Sequence, residues 1–245
     1  MSTSRPAKVG YHHGELREAL VAAGLAILEE GGDPASLGLR EAARRAGVSA
    51  MAPYRHFSDK DALLSAVAAV GFERLRADLE AADQGASPPP CGEEVGGGGG
   101  AGGGSVVPSA RPPPPTPPRK GEGTGAPSGV RAGDGQAALI AQGVAYVAFA
   151  AANPGLFRLM FRSCSAALPE ALAKSSADAF GVLASRVATL APAEHAADEA
   201  LRCWALVHGM AVLSLDGLFG DELRGDRQAV VALAGRLLAL EARRQ

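Results

Sequence analysis

The tract at residues 85–135 constrains this chain more than any other feature. It holds 16 of the 32 glycines and 11 of the 17 prolines, and contains no Leu, Ile, Met, Phe, Tyr or Trp. Ordering a backbone costs ~1–2 kcal/mol per residue, and a segment without large apolar side chains has nothing to offset that. The tract therefore reads as a disordered linker, flexible in its glycine runs and stiffer near the prolines at 112–115. A docking site for a proline-recognising domain is the alternative reading. So long a loop argues against one compact unit, so the 245 residues divide into packed pieces at 1–84 and 136–245.

Both pieces read as helical, and no segment alternates with period two, so the fold class is all-α. In 14–30, Leu16, Leu20, Ala23 and Ile27 recur at steps of three and four, and glycines follow. Short stretches at 39–46 and 50–56 come next. A longer stretch opens at Ser58-Asp59-Lys60-Asp61 in the form of a capping box and carries Leu63, Leu64, Val67, Val70, Leu75 and Leu79. The second piece offers helices at 136–152, 155–163, 169–190, 194–218 and 226–243.

Composition narrows the function classes. The formal net charge is −2, so nucleic-acid binding would need a local basic patch. No uninterrupted apolar run approaches the ~20 residues of a membrane helix, and residues 1–13 lack the apolar core of a signal peptide. The scattered Cys91, Cys164 and Cys203 argue against a disulfide framework and for a reducing, cytoplasmic compartment. There is no phosphate-binding glycine loop, no Ser-His-Asp order and no metal triad, so enzyme chemistry, cofactors and a bound metal are not expected.

The local patch exists. Between Ser36 and Lys60 stand Arg40, Arg44, Arg45, Arg55 and Lys60 against Glu41 and Asp59, a balance of +3. The order helix, Gly47, Val48, Ser49, short helix is that of a helix-turn-helix. Glycine allows the left-handed turn, Val48 fills the angle, and the Ser49 hydroxyl can cap the next helix. Such a unit sets its second helix in the DNA major groove. The bland alternative is a helical hairpin with a solvated basic face.

Leu39-Arg-Glu-Ala-Ala-Arg-Arg-Ala-Gly-Val-Ser49, followed by Pro53-Tyr-Arg-His-Phe-Ser-Asp-Lys-Asp-Ala-Leu-Leu64, resembles the N-terminal domain of TetR/AcrR-type transcriptional regulators. Tyr11-His-His-Gly-Glu-Leu-Arg17 is similar to one branch of that family. Asn153-Pro-Gly-Leu-Phe-Arg-Leu-Met-Phe161 and Trp204…His208-Gly209 resemble its WHG-type C-terminal ligand domain. The resemblance implies a homodimer on a near-palindromic double-stranded operator, most simply a repressor released by a small apolar effector. Tyr54, His56 and Lys60 fall at positions that touch the DNA backbone, and Ser49, Ala50, Met51 and Ala52 open the reading segment. Ala50, Met51 and Ala52 face base edges, so their readout would be contact with thymine methyls. Arg40 and Arg44 could add phosphate or base contacts. Gly38 departs from the family's usual Ser or Thr, and the tract at 85–135 stands where the family passes almost directly into the ligand domain. Coupling between the halves would therefore run through packed surfaces.

In the second piece, Tyr146, Phe149, Phe157, Met160, Trp204 and His208 are candidates to line an apolar ligand pocket, with core packing as the alternative. His56 has no second ligand at helical spacing, so a metal role is not expected for it. Val212, Leu215, Leu218, Phe219, Val230, Leu233, Leu237 and Leu240 give stripes suited to an intermolecular four-helix bundle. Gly209, Gly217 and Gly235 would let those helices approach closely. A small-molecule binding protein with a vestigial helix-turn-helix is the competing function.

Overall fold

A computed structural model describes residues 13–31, 33–85, 132–162, 168–220, 223 and 225–242. Most of the expected linker, the residues Tyr11 and His12, and the cysteines at 91 and 164 lie outside the described residues. Eight α-helices are present and, among the described residues, no strand, which agrees with the all-α reading. They are α1 (His13–Glu29), α2 (Leu39–Arg45), α3 (Lys60–Asp83), α4 (Ala132–Ala152), α5 (Pro154–Met160), α6 (Glu170–Ala188), α7 (Ala196–Leu215) and α8 (Arg227–Ala242). Helix α4 thus begins inside the segment expected to be linker.

Local chemistry explains the N-terminal turns. Gly47 has φ of +68°, the left-handed conformation that lets the chain reverse after α2. Val48, half-buried, packs against the core, and Phe57 is buried beneath it as expected. The anticipated second helix at 50–56 is shorter: residues 50–52 form a turn and Pro53–Arg55 a single 3-10 turn. Proline has no amide to give the Ser49 carbonyl, so the bonds close one residue early, Ala52 to Ser49, Arg55 to Ala52 and His56 to Pro53. The Ser49 hydroxyl does not cap this turn; its carbonyl does the accepting. The expected capping box does not form, because the N-cap lies one residue later and Ala62 stands at its third position. Asp59 is the N-cap of α3 and accepts the Ala62 amide at 2.8 Å, while the Ser58 hydroxyl donates to Asp59.

The two pieces do not pack separately. The buried residues of α3, among them Leu64, Ala68, Phe72, Leu75 and Leu79, belong to one cluster with Tyr146, Leu156, Phe157 and Met160. Phe72 meets Phe161 edge-on at 5.3 Å. Gly71 allows the closest approach: a Cβ there would fall 2.7 Å from the Met160 sulfur and 3.0 Å from a Leu156 methyl. The cause is the width of the α3 apolar stripe. It covers two faces, one for α1 and one for α4, α5 and α6.

Helix α4 runs through the centre of the second half, between α3, α7 and α8. Its 134–152 segment, with a mean hydropathy of 1.4, is long and apolar enough by composition to cross a membrane, because alanines make up much of it. Its inward side chains, including Tyr146, Val147, Phe149 and Gln142, are spent on the core. On α8 the inward stripe is Val230, Ala234 and Leu238 against α4, so Val230 leaves the set expected to face a partner subunit. Leu218 and Leu237 stay exposed, and Leu206 and Leu213 join them on α7. Open space lies over Gly209, whereas a Cβ on Gly235 would meet Val144 at 3.8 Å within the same chain. The Leu240 side chain is outside the described residues.

Candidate nucleic-acid interface and ligand cavities

The turn after Gly47 presents a compact surface. Met51 is 71% exposed and Tyr54 47%, unusual for large apolar and aromatic side chains. Ser49 and Ala50 are exposed beside them, and Ala52 and His56 are half-buried. The Tyr54 hydroxyl is thus available as a donor or acceptor, and Met51 as a soft apolar contact.

The cations are less free than the sequence suggests. Arg44 forks onto Glu41 with contacts of 2.8 and 2.6 Å, and these hydrogen bonds hold the Glu41 carboxyl below its ordinary range. Arg45 is half-buried and forks onto Glu30, tying α2 to the end of α1. The Lys60 ammonium donates to the Ala35 carbonyl at 2.6 Å, which places it over the loop before α2, at the N-terminus of α3. Arg40 and Arg55 are exposed and form no ion pair with a described residue. Arg44 stays accessible despite its ion pair, with a side chain 70% exposed, and joins Arg40, Arg55 and Lys60 beside Met51 and Tyr54 on the face. Arg55 had counted only as charge, although its place between Tyr54 and His56 marked it.

Among the described residues, two cavities bordered by the second half share the wall formed by Tyr146. The smaller, of about 110 Å³, lies between α3, α5, α6 and α7, with Leu64, Phe72, Met160, Phe161 and Trp204 around it. The larger, of about 650 Å³, lies between α4, α6 and α7, with Leu139, Ile140, Leu183, Val187 and Cys203 in its wall. Of the six expected pocket residues, Tyr146, Met160 and Trp204 line a cavity. Phe149, Phe157 and His208 line neither of these two: both phenylalanines are buried core side chains.

His208 stands behind the lining instead. Its Nδ1 is 2.9 Å from the Tyr146 hydroxyl, its ring stacks on Trp204 at 5.1 Å, and Phe157 stacks on it at 5.6 Å. Burial pushes the Tyr146 phenol far above its ordinary pKa. Tyr146 is consequently a neutral, fixed wall residue whose polar end is occupied. The i to i+4 spacing of Trp204 and His208 placed them on one helix face, but periodicity alone could not separate a lining position from the layer behind it.

Three further residues form a polar junction that the sequence reading missed. Asp83, on the last turn of α3, accepts from Arg186 of α6 at 2.7 Å on each oxygen and from the Gln142 amide of α4 at 2.6 Å. Gln142 alone carries a signal, as the one amide in the otherwise mostly apolar run 137–152. Asp83 and Arg186 are 103 residues apart, on ordinary amphipathic helices. Among the described residues no cluster of His, Cys, Asp or Glu could hold a metal ion.

Two family models match the chain. Residues 20–67 match bacterial regulatory proteins of the tetR family, and residues 139–237 match a tetracyclin repressor-like C-terminal domain. A protein with unknown function from Rhodococcus sp. RHA1 has a solved structure that is similar over 94% of this chain and 98% of that one, at 28% identity and a TM-score of 0.58. No curated protein matches. The first model runs from within α1 through the turn around Gly47 to the start of α3, and the second covers α5, α6, α7 and most of α4 and α8; the chain therefore belongs to the TetR family of helix-turn-helix, DNA-binding transcriptional regulators, and is not an enzyme.

Proposed function

We propose that the chain is a ligand-responsive repressor, acting as a homodimer at a near-palindromic operator and released by a small, mainly apolar effector. The observation that carries this reading is the smaller cavity. Its walls come from α3, the helix whose first turn holds Lys60, as well as from α5, α6 and α7. An occupant there would bear directly on the helix that anchors the DNA-facing turn, and an effector acts through its differential affinity for two arrangements. Exposed Leu206, Leu213, Leu218 and Leu237 with the open space over Gly209 supply an apolar face for a second copy.

On the DNA face, Met51 and its neighbours Ser49, Ala50 and Ala52 are assigned to base edges, and Tyr54, His56, Lys60, Arg40 and Arg44 to phosphates. Selection of bound duplexes from a random library tests the scheme. Inverted repeats at fixed spacing are expected; unpaired half-sites, or no enrichment at low salt, would overturn it. On the selected site, Tyr54→Ala and Lys60→Ala should weaken binding to all sequences alike, whereas Met51→Ala should change the preferred bases.

A further inference from the structure

Aromatic side chains are scarce in this chain and unevenly placed. It has seven Phe, three Tyr and one Trp. Five of these eleven, Phe72, Tyr146, Phe161, Phe180 and Trp204, line the smaller cavity. The larger cavity, of about 650 Å³ against 110 Å³, has Tyr146 alone. The five rings come from α3, α4, α6, α7 and the residue that ends α5, so no single helix face brings them together. Several are held by one another and from behind. Phe161 meets Phe72 edge-on at 5.3 Å and Tyr146 at a tilt at 6.5 Å, while His208 stacks on Trp204 and engages the Tyr146 hydroxyl.

The polar part of the same wall is small and mostly engaged. Arg162 pairs with Asp61 at 2.6 Å, and the Ser176 hydroxyl donates to the Ala173 carbonyl at 2.9 Å. Ser65, the other hydroxyl, is buried. Arg162 is the one charged lining residue among the described residues; it opposes a cation, and its own charge is already matched by Asp61. A charged ligand would therefore lose its water without a waiting partner. A cavity of roughly 150 Å³ holds benzene. A space of about 110 Å³ is thus on the scale of one ring, and not of a fused ring system or a long alkyl chain.

We propose that the smaller cavity is a site for a single neutral aromatic ring, recognised by edge-to-face and offset contacts with these five side chains. The inference rests on the ligand-responsive reading and names the chemical class of effector within it. Aromatic pairs gain more than the area they bury, because the positive edge of one ring meets the negative face of another. A saturated ring of the same size fills the space without that gain.

The test compares benzyl alcohol with cyclohexylmethanol on the purified full chain by titration calorimetry. The two share the hydroxymethyl group and differ in the ring. The saturated ring has more apolar surface, so a cavity that is merely apolar favours cyclohexylmethanol. With an aromatic wall the order should reverse, benzyl alcohol binding about threefold to tenfold more tightly, and phenylacetate should bind more weakly than benzyl alcohol. Trp204, the only tryptophan, stands in the wall, so its emission should change as benzyl alcohol saturates the protein. In Phe180→Leu, which keeps an apolar wall and removes one ring, the preference should shrink at least twofold. A melting curve checks that the variant is folded; if it is not, the wild-type ratio and the Trp204 signal decide. A ratio of one or below, tighter binding of phenylacetate, an unchanged Trp204 emission at saturation, a preference undiminished in folded Phe180→Leu, or no binding of either alcohol at its solubility limit would overturn the assignment. Operator binding separates the two readings: benzyl alcohol that binds with this preference but leaves the operator complex intact would count against the repressor reading and leave the aromatic site standing.

Discussion

Asp83→Asn tests what holds the two halves together. The substitution changes almost no volume but replaces one acceptor oxygen with a donor group. Three donors now converge on Asp83, two from Arg186 and one from Gln142. After the change one of them has no acceptor, and Arg186, with a side chain 17% exposed, keeps its charge without a counter-charge. Breaking a fully buried pair costs about 3–5 kcal/mol. A hydrogen bond to a charged group is worth about 1.5–3 kcal/mol. With both side chains only mostly buried, the loss should be about 2 kcal/mol, or about 4–8 °C in the midpoint for a chain of this size. The pH dependence sharpens the test. Arg186 hydrogen bonding, its positive charge and the Gln142 amide all hold the Asp83 carboxyl below its ordinary pKa, against the opposing effect of burial. A carboxyl depressed in the folded state adds stability above its unfolded pKa of about 3.9, and that contribution fades as pH falls through the folded value. The gap between wild type and Asp83→Asn should therefore be widest near neutrality, narrow below about pH 4, and close in stronger acid. Thermal unfolding followed by far-ultraviolet circular dichroism reads both. Equal midpoints at neutral pH, or a gap that does not change with acid, would refute the role given to the junction.

Other consequences are as direct. Leu233→Arg with Leu237→Arg should yield a monomer in sedimentation velocity with weak operator binding, because Leu237 is exposed and Leu233 is only half-buried, outside the buried Val230, Ala234 and Leu238 stripe; an intact dimer would refute the interface. Gly71→Ala and Gly143→Ala should differ in size of effect. At Gly71 the obstacle is chiefly the rotatable Met160 side chain, so a helix-propensity gain of about 1 kcal/mol should leave stability near wild type. At Gly143 a Cβ would lie 2.7 Å from a Leu238 methyl and 3.2 Å from stiff, branched Val207, so a loss of about 1–3 kcal/mol is expected in thermal unfolding.

Much of the fold is local chemistry and was legible as such. Gly47 needs a left-handed turn, Phe57 closes the small N-terminal core, and the period of three and four residues marked each helix. The errors came where one local signal competes with another. Ser58 and Asp59 are both good caps, and only the structure shows that Asp59 took the Ala62 amide. Pro53 falls inside the stretch expected to be a second helix, and its missing amide reduces that helix to a 3-10 turn. The larger omissions are non-local. A stripe on α3 says that two faces are apolar and nothing about which helices cover them. The Asp83–Arg186 pair joins positions that no spacing rule connects, and His208 differs from Trp204 only in depth, which a helical wheel does not carry.

That difference matters most for how the halves communicate. The tract that separates them in sequence makes a direct backbone push from α3 into α4 implausible as the sole route, and the structure offers another. The ligand half grips α3 at three levels: Arg162 pairs with Asp61 at 2.6 Å on its first turn, Met160 and Leu156 close over Gly71 at its middle, and Arg186 forks onto Asp83 at its last turn. At ~1.5 Å per residue, the 24 residues of α3 make a rod about 36 Å long. A rod held at both ends and the centre cannot bend cheaply at one point, because close-packed interfaces shift between discrete arrangements and do not deform continuously. Arg162 also lines the smaller cavity, and Asp61 is adjacent to Lys60. On the proposed ligand response, an occupant that displaces Arg162 would act one residue from a proposed phosphate contact, and a shift of α3 relative to α5 and α6 would carry the Met51 and Tyr54 surface with it.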